Sequence, residues 1–110
     1  MSIDHTLRAL ADPTRRGVVD LLRRRPRRAG ELAAALAVSA PALSRHLRIL
    51  RQHGLVELEA EQPDDARVRT YRLRPSPFAT LRGWLEQVEA CWAVELGAFK
   101  AHVERTRPRR

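Results

Sequence analysis

Ser39-Ala40-Pro41-Ala42-Leu43-Ser44-Arg45-His46-Leu47-Arg48-Ile49-Leu50, running on through Arg51-Gln52-His53-Gly54-Leu55-Val56, is the stretch whose reading decides the fold. Ser39 reads as an N-cap, because its hydroxyl can accept an N–H from the first helical turn. Pro41 is tolerated in that turn, since the N–H it lacks would have had no acceptor there. Gly54 supplies a left-handed stop after about His53. At about 100° per residue, Leu43, Leu47 and Leu50 share one face, with His46 at its edge. Pro41, Ser44, Arg45, Arg48 and Gln52 line the opposite face. Short side chains near the start and long donors further along suit a helix lying in a DNA major groove. An ordinary amphipathic surface helix gives the same wheel, so the neighbouring elements have to decide.

Upstream, Gly30 precedes a short helix from Glu31 to about Ala37, with Leu32 and Leu36 on one face. Joined to the Ser39 helix by a turn around Val38, it makes a helix-turn-helix. Asp12-Pro13 opens an earlier helix, with Asp as N-cap and Pro at the first helical position. That helix turns Val18, Leu21 and Leu22 inward and ends near Pro26. Ile3, Leu7 and Leu10 recur at helical spacing and mark a first helix. Downstream, Leu55 to about Ala60 and Arg67 to Leu73 read as strands around the turn Gln62-Pro63-Asp64-Asp65. Val56 and Leu58 share one side of the hairpin, as do Tyr71 and Leu73, and Val68 and Thr70 take the other. A hairpin directly after a helix-turn-helix is a wing.

Pro75 and Pro77 separate the wing from a last helix, about Phe78 to Val103. Its apolar positions run from Phe78 and Leu81 through Trp84, Leu85, Val88, Cys91 and Trp92 to Leu96, Phe99 and Val103, over an arc of about 140°. A small domain cannot cover so long a stripe. Leu81, Leu85, Val88, Trp92, Leu96 and Phe99 are therefore expected at the interface with a second copy. The expected fold class is mainly α: a winged helix-turn-helix with five helices and a two-stranded hairpin, in a two-fold homodimer. Residues 1–104 form one domain, and the basic tail 105–110 is expected to be solvated and disordered.

The bulk composition fits this reading. A chain of 110 residues with 44% hydrophobic content makes one domain. No run is apolar enough for a membrane span, and Met1-Ser2-Ile3-Asp4-His5 lacks the character of a signal peptide, so a cytoplasmic protein is expected. The formal charge is +8, and Lys100 is the only lysine among 21 basic residues. Arginine forks suit phosphates and guanine edges. A GC-rich genome also favours Arg, and charge alone fits a membrane surface or acidic proteins equally well. The cluster Arg23-Arg24-Arg25-Pro26-Arg27-Arg28 reads either as favourable charge at a helix C-terminus or as phosphate contact.

Three stretches resemble the ArsR-type (arsenical-resistance repressor-like) winged-helix regulators. They are Ala9-Leu10-Ala11-Asp12-Pro13-Thr14-Arg15-Arg16, the Ser39 helix through Gly54-Leu55-Val56, and Tyr71-Arg72-Leu73. The resemblance spans about Ile3 to Val103. It implies a dimeric repressor whose first and last helices form the subunit interface, which brings Ile3 and Leu7 to it beside the last-helix stripe, with groove contact by the Ser39 helix and backbone contact by the wing. Ser39, Ala40, Pro41, Ser44, Arg45, His46 and Arg48 are then the DNA-facing residues, joined at the base of the wing by Arg67 and Arg69. Double-stranded DNA is the implied partner, and repression is steric.

The departures from the family pattern are informative. Metal-sensing members carry a cysteine pair where this chain reads Glu31-Leu32-Ala33-Ala34-Ala35-Leu36. Only His102 and Glu104 lie near the end of the last helix, spaced unlike a zinc-sensing ligand set. The likeness is to the metal-independent branch, with no metal and no cofactor expected. Ala40 stands where glutamine is common. Asp64 and Asp65 at the wing tip would repel phosphate.

The remaining candidates have plainer readings beside sharper ones. His5, His46, His53 and His102 are scattered, and a metal site needs at least three converging ligands; a dimer could still bring His5 near the partner's last helix. His46 reads as a partly buried helix residue that can reach a phosphate. Cys91 reads as a small core residue rather than a redox switch, which would need exposure and nearby positive charge. Trp84 and Trp92 read as dimer core, with an aromatic ligand pocket as the alternative. Ser44 and His46 point about 200° apart on a helix and cannot form a nucleophile–base pair. No phosphate loop or paired-carboxylate pocket is visible, so no enzyme is expected. A metal- or thiol-responsive repressor of the same fold stays open. So does a winged helix used only for protein contact, although Arg45 and Arg48 speak against the apolar or acidic face it would need. The effector, the operator and the regulated genes are not readable.

Overall fold

The computed structural model describes residues 3–59 and 69–106, the side chains at 95–96, 98–101 and 103–106 excepted. In chain order the elements are α1 (Ile3–Leu10), α2 (Pro13–Leu22), β1 (Arg27–Arg28), α3 (Ala29–Leu36), α4 (Ala40–Gln52), β2 (Val56–Leu58), β3 (Thr70–Leu73) and α5 (Pro75–Thr106). Five helices around a small sheet are the winged helix-turn-helix read from the sequence.

Asp12 caps α2 as expected: its Oδ1 accepts the Arg15 N–H at 3.1 Å, with proline in the first turn. Leu32 of α3, the Leu43–Leu47–Leu50 face of α4 and Val18 and Leu22 of α2 make one core with Leu55, Val56 and Tyr71. Gly54 closes α4 at φ 76°, a left-handed conformation that glycine adopts without steric cost. At Gly17 a Cβ would lie 2.7 Å from Leu36 Cδ2, so a larger residue there would require the Leu36 side chain to shift.

Several boundaries differ from the sequence reading. The sheet has three strands in the order β1-β3-β2, because Arg27 and Arg28 pair antiparallel with Tyr71 and Thr70. A two-residue strand carries no periodicity, so nothing in the pattern announced it. The wing strands keep the expected alternation: Val56 faces Leu73 and Leu58 faces Tyr71, while Glu57 and Arg72 pair on the outer side. Residues 60–68, including the expected turn Gln62-Pro63-Asp64-Asp65 and Arg67 and Val68, lie outside the described residues. α3 starts at Ala29 rather than Glu31, with Gly30 in its first turn. It ends on Ala37 at φ 54°, a left-handed cap on a residue with a Cβ. α5 starts at Pro75 rather than Phe78. Two prolines that looked like a separator are absorbed into its first turn, where their missing N–H groups have no intrahelical acceptor. α5 also takes in Arg105 and Thr106, expected in the tail, and residues 107–110 lie outside the described set.

α1 departs most from its apolar pattern. The residues it buries are Thr6 and Ala9. Small side chains let it pack closely on its neighbours, while Leu7 is left 43% exposed. α5 continues the same open surface: Trp84, Leu85 and Val88 are 42–46% exposed and Trp92 is 60% exposed. The radius of gyration is 20.4 Å, against about 13 Å for a compact chain of about 100 residues. The excess is α5 projecting as an arm.

Candidate DNA interface

The candidate site starts at the α4 N-terminus, where Ser39 Oγ accepts the Ala42 N–H at 3.2 Å. This cap and the buried face at Leu43, Leu47 and Leu50 fix the rotation of the helix about its axis. Ala40, Pro41, Ser44, Arg45 and Arg48 are all exposed, as is Ser39. They lie together on the side away from the core. Arg51 and Gln52 extend this exposed surface. Between α4 and the wing, Arg48 and Arg51 border a groove that also includes Glu57 and Arg74.

His46 is placed differently. It is half-buried and turned toward the start of α2, with Nδ1 3.4 Å from Arg15 Nη1 and 3.9 Å from Asp12 Oδ1. The Nδ1 edge of the ring therefore faces the Arg15 guanidinium and the Asp12 carboxylate rather than the outward face of α4.

Arg15 is the hub behind it. Its Nε–H donates to Ala9 O at 2.7 Å and its Nη2–H to Arg8 O at 3.2 Å. Arg16 Nη1 donates likewise to Leu10 O at 2.8 Å and Ala11 O at 3.2 Å. These carbonyls lie at and just past the end of α1, where Arg8 O also accepts the Ala11 N–H at 3.3 Å and the arginines supply further donors. The Asp12-Pro13-Thr14-Arg15-Arg16 run therefore starts α2 with its Asp and Pro and ends α1 with its two arginines, and Arg15 also touches α4. The Asp12 carboxyl is held below its usual range, chiefly by the Arg15 backbone N–H, with burial opposing and His46 helping. Residue patterning alone did not reveal this link, because Asp12, Arg15 and His46 meet only when three helices pack.

In the wing, Arg69 is exposed just ahead of β3, and Arg67 lies outside the described residues. Arg72 and Arg74, not singled out from the sequence, share Glu57 at 2.8 and 3.6 Å. The cluster after α2 is mostly engaged locally: Arg23 meets Asp20 at 3.5 Å, Arg25 meets Glu31 at 3.1 Å, and Arg27 and Arg28 form β1.

On α1 and α5, which pack against each other, Ile3 and Leu81 are half-buried, and Leu7, Leu85, Val88 and Trp92 are exposed. The side chains of Leu96 and Phe99 lie outside the described set. Cys91, expected as a core residue, is exposed in the single chain. His5 and His53 stack at 5.2 Å between ring centroids. Burial, and then the charges of His5, Arg15 and Arg8, push the His53 imidazole below its ordinary value. Among the described residues no group of three or more His, Cys, Asp or Glu could hold a metal ion, and no helix is long and apolar enough to cross a membrane.

The family model described as bacterial regulatory protein, arsR family, matches residues 12–57, from the α2 cap to the first wing strand. The HTH-type transcriptional regulator Rv2034 of Mycobacterium tuberculosis is 43% identical over 86 residues, 78% of this chain and 77% of that protein. The transcriptional repressor SdpR of Bacillus subtilis is 40% identical over 50 residues, 46% of this chain and 56% of that protein. The solved structure of an ArsR-like transcriptional regulator from Rhodococcus sp. RHA1 superposes with a TM-score of 0.74 at 30% identity, covering 96% of this chain and 93% of that one. The chain thus belongs to the ArsR family of bacterial regulatory proteins, and is a DNA-binding transcriptional regulator rather than an enzyme.

Proposed function

We propose that the protein is a cytoplasmic repressor that binds a palindromic operator as a homodimer, with the two α4 helices in successive major grooves. The observation that carries this reading is the two-faced α4. Leu43, Leu47 and Leu50 anchor it, and Ser44, Arg45 and Arg48 stand free on the other side. Arg45, nearer the helix start, reads a base, and Arg48 positions the helix on phosphate. Ser39, Ala40 and Pro41 allow close approach of the helix end. Arg67 and Arg69 hold the backbone from the wing, and His46 supports the helix from behind. The open stripe at Leu7, Leu85, Val88 and Trp92 supports dimerisation through α1 and α5. Occupying promoter DNA then blocks transcription initiation.

The test is selection of bound fragments from genomic DNA, followed by footprinting. The expected result is an inverted repeat with half-site centres about one helical turn, or a multiple of it, apart. Retention of fragments with no shared motif, or a footprint lacking two-fold symmetry, would overturn the proposal.

A further inference from the structure

We infer that the groove between the end of α2, β3 and the start of α5 binds an amphipathic monocarboxylate, a molecule with one carboxylate and one medium-length apolar body. The groove has a volume of about 810 Å³, within the range of about 300–1,000 Å³ usual for small-molecule sites. Val19 and Leu22 of α2, Leu73 of β3 and Phe78 of α5 form its apolar floor. Leu22 is buried, and the other three are half-buried against the core, so the floor is rigid and still open from outside.

The rim is cationic, with Arg23, Arg24, Arg25, Arg72 and Arg82. Four of these already hold a carboxylate: Arg23 with Asp20 at 3.5 Å, Arg25 with Glu31 at 3.1 Å, Arg72 with Glu57 at 2.8 Å and Arg82 with Glu86 at 3.6 Å. Among the described residues Arg24 holds none, and it is the surplus charge over the floor. The N-terminal pole of α5 and the C-terminal pole of α2 both lie at the groove and offset each other. The arginine therefore selects the head group. Its planar fork matches a carboxylate in two parallel hydrogen bonds. One surplus cation above an apolar floor fits one anionic head and one apolar tail, rather than a polyanion or a neutral lipid.

The location gives the site a regulatory consequence, which rests on the DNA-binding reading above. An occupant would touch the wing strand and the root of the α5 arm together, and so bias the angle between the DNA-reading core and the arm. If DNA and ligand favour different angles, each weakens the other by the same factor.

The test uses the full-length chain and decanoate below its micellar concentration, followed by titration calorimetry. Saturable binding of one decanoate per chain is expected, with decanol and acetate binding at least about tenfold more weakly, as each lacks one half of the recognised chemistry. Arg24→Gln should weaken decanoate about tenfold or more. Ala79→Glu, which sets a carboxylate at an exposed position on the groove wall, should do the same without touching the core. Non-saturable uptake, equal binding of decanol, or unchanged affinity in both variants would overturn the inference. Operator binding is measured separately. A decanoate-dependent change in operator affinity that disappears in Arg24→Gln supports the regulatory consequence. Stoichiometric decanoate binding with operator affinity unchanged overturns that consequence and leaves DNA binding intact. Failure to bind any DNA would overturn the repressor reading, while the calorimetry still decides the groove.

Discussion

Replacing Arg15 by Met should remove the clasp that joins α1 to the DNA-reading core. The change keeps most of the aliphatic stem and deletes the donors. The bond to Ala9 O is short at 2.7 Å and partly buried, and its donor is charged. Leaving that carbonyl unmet costs about 1.5–3 kcal/mol. The bond to Arg8 O, at 3.2 Å, is exposed, so water substitutes for the guanidinium and the loss is about 0.5 kcal/mol. The 3.4 Å contact to His46 is long and adds little. The sum is about 2–3.5 kcal/mol, which for a chain of this size corresponds to a fall in Tm of about 8–14 °C. The assay is thermal and urea unfolding followed by circular dichroism, at equal protein concentration because a dimer's stability depends on concentration. Arg15→Lys keeps the charge but not the fork, and should recover less than half of the loss. A loss below about 0.5 kcal/mol in Arg15→Met, or full recovery in Arg15→Lys, would reduce the clasp to an incidental surface contact.

Leu85→Glu combined with Val88→Glu should give monomers in sedimentation and abolish operator binding with the core still folded; dimers persisting in this variant would refute the interface. Arg45→Ala should relax preference at one operator position per half-site, a discrimination of about 1–3 kcal/mol. Arg48→Ala should instead weaken all sequences alike and flatten the log–log salt slope by about 1 for each phosphate no longer neutralised. If neither arginine matters to binding in an operator library or random DNA, α4 is not the recognition helix. Because the folded-state pKa of His53 is depressed, its contribution to stability is complete above the unfolded value of about 6.5 and is lost as pH falls through the folded value. His53→Gln should flatten the stability profile just below pH about 6.5, and an unchanged slope would count against the lowered pKa of this half-buried ring. Ala37→Gly relieves a left-handed Cβ and should stabilise by about 0.5–1 kcal/mol in urea titration; destabilisation would mean that this cap is not strained.

Much of the fold and half of the site can be read along the chain because they are local. The Ser39 cap, the Leu43–Leu47–Leu50 face, the glycine stop at Gly54 and the alternation across Val56 and Leu58 each depend on residues within one turn or one strand. The outward face of α4 follows from them, since burying one side of a helix exposes the other. Proline was less informative. Pro75 and Pro77 looked like a break and instead begin α5, because a helix's first turn does not use the N–H that proline lacks.

What the sequence by itself determined is the five helices and the two wing strands, their order and the two faces of α4, all fixed by capping chemistry and periodic burial within short windows. The tertiary structure alone decided three other things. It joined Arg27–Arg28 to the sheet through Tyr71 and Thr70, residues more than forty positions away. It drew Asp12, Arg15 and His46 into one cluster, giving a partner on α2 to a histidine that the wheel had set at the edge of the core face. It also buried Thr6 and Ala9 of α1, which the helical spacing of Ile3, Leu7 and Leu10 had not marked. The physical reason is common to all three: such contacts depend on how separate helices and strands meet in space, and no local pattern of hydrophobicity or capping records that distance.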